Sequence, residues 1–99
     1  MDQVTTEPTE HEKFAANVRE ICDGVADMLI QKNKAYGNSA LNPVRIFSKA
    51  SIVEQLKVRM DDKLSRLAGG HALPDESLTD TVKDLLGYLV IYLVAQKGQ

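Results

Sequence analysis

From Leu85 to Val94 the chain reads LLGYLVIYLV, ten residues without a charge. Set on a helix running from about Asp75 to Gln96, this segment points apolar side chains in every direction around the axis. A helix that is apolar all round is buried on every side. Ten residues are half of the about 20 that a membrane-crossing helix needs. Leu78, Val82, Leu85, Leu89 and Leu93 recur at spacings of three and four along one face, and Glu76, Asp80, Asp84 and Gly87 along another. Two further helices of a 99-residue chain can hardly enclose such an element. The expectation is therefore an all-α, three-helix protomer that assembles as a homo-oligomer through its last helix, with Gly87 as a place of close helix approach.

The rest of the chain supplies those two helices. Residues 1–8 are polar, end in Pro8 and read as a disordered leader, which leaves 9–97 as one all-α domain. Thr9 with Glu12 has the form of a capping box and opens the first helix, whose stripe is Phe14, Val18, Ile21, Val25, Met28 and Leu29. Gly37 closes it as a left-handed cap. Ser51 with Glu54 opens the second helix, with the stripe Val53, Leu56, Met60, Leu64 and Leu67 and a stop at Gly69-Gly70. His71 to Pro74 is a short connection, and Asp75 is expected to cap the last helix. No segment alternates with the period of two that a strand requires.

Charge separates along the chain although the total is only −2. Residues 1–31 hold two basic and seven acidic groups, residues 32–70 eight and three, and residues 71–99 two and four. A locally basic middle inside a near-neutral protein argues against bulk nucleic-acid binding and for a small anionic ligand. A polar, acidic N-terminus and the single Cys22 fit a reduced, cytosolic protein with no membrane partner.

Three groups of residues could carry chemistry. Lys32, Asn33, Tyr36, Gly37, Asn38 and Ser39 cluster at the exit of the first helix and lead into an irregular stretch, 37–50, that contains Arg45. Cations, amides, a hydroxyl and a flat ring together suit a base held by stacking and a phosphate held by charge-assisted hydrogen bonds. Arg59, Lys63 and Arg66 share one strip of the second helix with the lone acid Asp62, so an anion is expected opposite them. The third group is the acidic column Glu76, Asp80 and Asp84, which needs a compensating cation. Either Mg²⁺, with Asp80, Asp84 and either Asp62 or Glu76 as ligands, or the basic strip of the second helix could supply it.

The strings KNKAYGNS, RMDDKLSRL and DESLTDTVKDLLGYLVIYL resemble the phage family called nucleotide-modification-associated domain, with its KNxxYG, DKxxRL and ESxxDTxxDLxxY motifs. The likeness spans roughly residues 28–95 and is most specific at Glu76, Ser77, Asp80, Thr81, Asp84, Leu85 and Tyr88. It implies a phage origin and a nucleotide or nucleotide-derived ligand, cyclic immune signals included, captured in the host cytoplasm without a required cofactor. More distantly the chain is similar to the MazG-type all-α nucleoside triphosphate pyrophosphohydrolases, which would imply Mg²⁺-dependent cleavage. Their pattern pairs an ExxE helix with an ExxD helix, whereas this second helix offers Asp61 and Asp62 and the last helix spaces its acids four apart.

Overall fold

The computed structural model describes residues 7–42, 45–69 and 77–98. It contains three helices, α1 (Glu10–Ala35), α2 (Ile52–Gly69) and α3 (Leu78–Lys97), and no strand among the described residues. Most of the expected leader, Gly70, the connection His71 to Pro74, Asp75 and Glu76 lie outside the described residues.

Each helix begins where a side chain satisfies a backbone donor left over at its first turn. The Thr9 hydroxyl accepts from the Glu12 N–H at 3.1 Å, and the Ser51 hydroxyl accepts from the Glu54 N–H at 3.1 Å. At α3 the cap is Ser77 rather than Asp75. Its hydroxyl accepts the Asp80 N–H at 3.1 Å while the Asp80 carboxylate accepts the Ser77 N–H at 3.2 Å, a reciprocal capping box. The exit of α1 is also locally determined. Tyr36 is the C-cap, Gly37 follows at φ 63°, and the Asn38 N–H returns to the Asn33 carbonyl at 2.9 Å. This is the Schellman arrangement, in which glycine takes the left-handed position without a Cβ penalty.

The packing is uneven. α2 and α3 lie against each other along their lengths, whereas α1 meets α3 over a short stretch and makes no helix contact with α2. Val25, Leu56 and Ala95 are the buried apolar side chains among the described residues, joined by Thr81 with no exposure at all. Fully burying a residue such as Leu56 contributes about 1.5–3 kcal/mol. The Thr81 hydroxyl donates to the Ser77 carbonyl at 3.3 Å, which satisfies it inside the α2–α3 seam.

Three expected faces are redistributed. On α2 Leu64 is half exposed, and Lys63, expected on the ligand-facing strip, turns inward instead, because Asp84 of α3 meets its ammonium at 3.1 Å. On α1 the stripe is covered only from Val25 onward, leaving Phe14, Val18 and Ile21 open. On α3 Thr81, Gly87 and Ala95 are buried, while Leu78, Val82, Leu89 and Leu93 are uncovered.

Gly87 is the point at which α1 crosses α3. A Cβ there would lie 3.2 Å from Leu29 Cδ2 and 3.8 Å from Met28 Cε. The close approach expected at this glycine is thus made within one chain.

Candidate functional site

Because α1 touches α3 only near Gly87, an open groove of about 900 Å³ remains between the C-terminal half of α1, the turn after it, α2 and α3. This lies in the upper part of the roughly 300–1,000 Å³ range of small-molecule sites. Met28, Leu29 and Ile30 of α1 and Val90, Ile91 and Val94 of α3 give it an apolar floor. Its polar rim comes from the cluster read in the sequence: Lys32, Asn33, Tyr36, Asn38 and Ser39, joined by Gln55 and Arg59 from α2 and by Asp84 and Tyr88 from α3.

Local structure sets the rim. The Schellman turn at Gly37 folds the chain back so that Asn38, itself at φ 63°, places its carboxamide oxygen 2.6 Å from Asn33 Nδ2. Asparagine tolerates this left-handed conformation better than most residues. The Asn38 carbonyl then accepts the N–H groups of Leu41 at 3.2 Å and Asn42 at 2.9 Å, a second turn that fixes Ser39 and Ala40 over the groove. Further on, the Ser48 hydroxyl accepts the Ala50 N–H at 3.1 Å, and the Ala50 carbonyl accepts from Gln55 Nε2 at 2.9 Å and from the Arg45 guanidinium.

The five candidate cations of the middle segment, Lys32, Arg45, Arg59, Lys63 and Arg66, have different partners. The Lys63 side chain, 11% exposed, is paired with Asp84, and Arg66 holds Asp62 at 3.1 Å one turn earlier on α2. Neither Lys63 nor Arg66 lines the groove. Arg45 serves its own loop, and Gly37 acts as a cap outside the lining. Lys32 and Arg59 do line it, and among the described residues neither has a carboxylate partner. Arg59 instead lies over the Tyr88 ring, 5.9 Å from its centroid. That contact holds the guanidinium on the groove wall and leaves the edge donors of its fork available.

Of the carboxylates considered for Mg²⁺, Asp80, Asp84 and Asp62 each meet a protein donor. Asp80 is engaged by Ser77, whose backbone N–H and then hydroxyl hold the Asp80 carboxyl below its ordinary value of 3.8. Asp84 faces Lys63, and Asp62 faces Arg66. No group of three His, Cys, Asp or Glu side chains suited to a metal gathers among the described residues.

Among the polar residues of the groove, Tyr88 and Gln55 are the two that the sequence did not assign to a ligand or metal. Tyr88 falls in the all-round apolar segment, where spacing marks no particular face, and Gln55 carries no distinguishing pattern. No described helix is long and apolar enough to cross a membrane. Comparison with protein-family models, with curated proteins and with solved structures finds no match to this chain.

Proposed function

We propose that this protein is a small nucleotide-binding module that captures a nucleotide or nucleotide-derived ligand in the groove between α1, α2 and α3, and that it self-associates through α3. The supporting observation is the convergence on one apolar-floored groove of Lys32 and Arg59, two cations without acid partners among the described residues, with the rings of Tyr36 and Tyr88 and the short polar side chains Asn33, Asn38 and Ser39. A base can stack on a ring or lie against the apolar floor. A phosphate takes charge-assisted hydrogen bonds from the cations and from the amide and hydroxyl donors of the turn. The resemblance to the phage nucleotide-modification-associated family points to the same ligand class, and with it to a phage protein at work in the cytoplasm of its host. Capture is the favoured mode, because the carboxylates that a metal-dependent hydrolase would need are tied into a helix cap and two ion pairs.

The test is calorimetric titration with linear and cyclic nucleotides, with and without Mg²⁺, followed by chromatography of the material released on denaturation. The expected result is stoichiometric binding, with the ligand recovered intact. Charge-assisted contacts are worth about 1.5–3 kcal/mol each, so Arg59→Ala should weaken affinity about tenfold or more. Mg²⁺-dependent turnover would replace the capture reading with the pyrophosphohydrolase one. An unchanged affinity in both Arg59→Ala and Lys32→Ala would remove the groove as the site.

A further inference from the structure

We propose that the groove selects guanine nucleotides, with the Asp84 carboxylate reading the Watson–Crick edge of the base. The inference rests on the nucleotide reading given above and narrows it to one base. Among the described residues that line the groove, Asp84 is the one acid. An isolated carboxylate in this place would repel a phosphate. Its charge is balanced from outside the groove, however, because Lys63, which is not part of the lining, meets Asp84 Oδ2 at 3.1 Å. A carboxylate accepts about four hydrogen bonds, and the Asp84 side chain is 34% exposed. One ammonium on one oxygen therefore leaves acceptor capacity for a ligand.

The surroundings of Asp84 suit a base better than a phosphate or a sugar. Gly87, Tyr88 and Ile91 follow it at three, four and seven residues along the same face of α3, and all three line the groove. Gly87 adds no side chain, and Leu29 of α1 lies over it, so the surface beside Asp84 is low and apolar. The Tyr88 ring, with the Arg59 guanidinium 5.9 Å from its centroid, bounds that surface. A planar base lies on such a floor or against the ring, and its edge then meets the carboxylate one turn back. Lys32, Asn33, Asn38 and Ser39 come from α1 and the turn after it, so donors for a phosphate stand on a different element. A carboxylate only accepts, and it selects an edge made of donors. Guanine sets N1–H beside its 2-amino group. Adenine and cytosine each place a ring-nitrogen acceptor next to the amino group, which a carboxylate repels, and uracil has one N–H between two carbonyls.

Calorimetric titration of the full chain with GMP, IMP, AMP and dGMP, and with cyclic di-GMP and cyclic di-AMP, separates the outcomes. The guanine member of each pair should bind about tenfold or more tightly than the adenine member, as a paired base contact discriminates. IMP, which keeps N1–H and lacks the 2-amino group, should fall between GMP and AMP. Asp84→Asn turns one acceptor into a donor and so matches the amino group and N1 of adenine. The guanine-to-adenine affinity ratio should then fall about tenfold or more. The ratio is the readout because removing the charge opposite Lys63 strengthens the binding of every anion alike. If that variant does not fold, Lys63→Gln/Asp84→Asn, which removes both charges together, carries the same test. Equal affinity of the wild type for guanine and adenine ligands overturns the inference and leaves the nucleotide reading standing, as does an unchanged ratio in the folded variant. A preference for GMP over dGMP that Asp84→Asn alone abolishes assigns the carboxylate to the ribose and also overturns it. Binding of none of the six ligands overturns the nucleotide reading and the inference with it.

Discussion

The contact of α1 with α3 rests on few residues, and Gly87 gives a direct way to weigh it. Replacing glycine by alanine inside a helix stabilises it by about 0.8–1 kcal/mol, because the unfolded chain loses freedom that folding no longer has to remove. At Gly24, which is exposed and where an added Cβ would meet nothing within 4 Å, the whole gain should be realised. At Gly87 the new methyl would lie 3.2 Å from Leu29 Cδ2, so the Leu29 tip must move by a few tenths of an ångström. Pushing a side chain off its rotamer costs about 0.5–1.5 kcal/mol, which offsets the propensity gain and leaves Gly87→Ala close to neutral. Gly87→Leu has no such balance. Its side chain needs the space of Leu29 and Met28 together and should destabilise by about 1–3 kcal/mol, detaching α1 from α3 and opening one wall of the groove. Thermal unfolding followed by circular dichroism at matched protein concentration reads these differences, since 1 kcal/mol shifts the midpoint of a domain this size by about 4–8 °C. Equal stabilisation by Gly24→Ala and Gly87→Ala, with Gly87→Leu tolerated, would show that α1 does not lie on α3 at this point.

The ion pairs and caps can be tested in the same way. Lys63→Ala leaves the Asp84 carboxylate, about a third exposed, without its cross-helix cation, and should cost about 1–2 kcal/mol, less than the 3–5 of a fully buried pair. A double-mutant cycle with Asp84→Asn should return a favourable coupling, and a coupling of zero would remove the pair as an α2–α3 clamp. The one-turn pair of Arg66 with a half-exposed Asp62 should by contrast return a coupling of no more than about 0.5 kcal/mol in the same kind of cycle. Ser77→Ala should cost about 1 kcal/mol through loss of the α3 cap. The capping box also predicts a pH response. Asp80 has its folded pKa held below 3.8, so its contribution is complete above that value and is lost as pH falls through the lowered folded pKa. The stability difference between wild type and Asp80→Asn should accordingly hold through neutral pH and close on acidification, and a difference that instead vanished on raising the pH would contradict the assignment.

What the sequence by itself determined is what neighbouring residues decide among themselves. Thr9 and Ser51 start α1 and α2 because a hydroxyl reaches a backbone N–H three residues on, and Gly37 ends α1 because it alone takes φ 63° there without strain. The Ser77 to Asp80 box has the same form, a hydroxyl residue followed three positions later by an acid, yet the expectation falls on Asp75, and the structure puts the cap at Ser77. Tertiary structure decided which faces meet. A helix as evenly apolar as 85–94 offers no local mark of the side that takes α2, the side that takes α1 or the side left open, and the residues that settle it lie far apart in the chain. Lys63 turns inward because Asp84, twenty-one positions on, faces it; Gly87 is small because Leu29 crosses there; Arg59 stays on the groove because Tyr88 lies beneath it. The polar cluster after α1 could be read as ligand chemistry from its residue types, but that Lys32 and Arg59 share one groove, while Lys63 and Arg66 spend their charge on Asp84 and Asp62, follows only from how three helices pack.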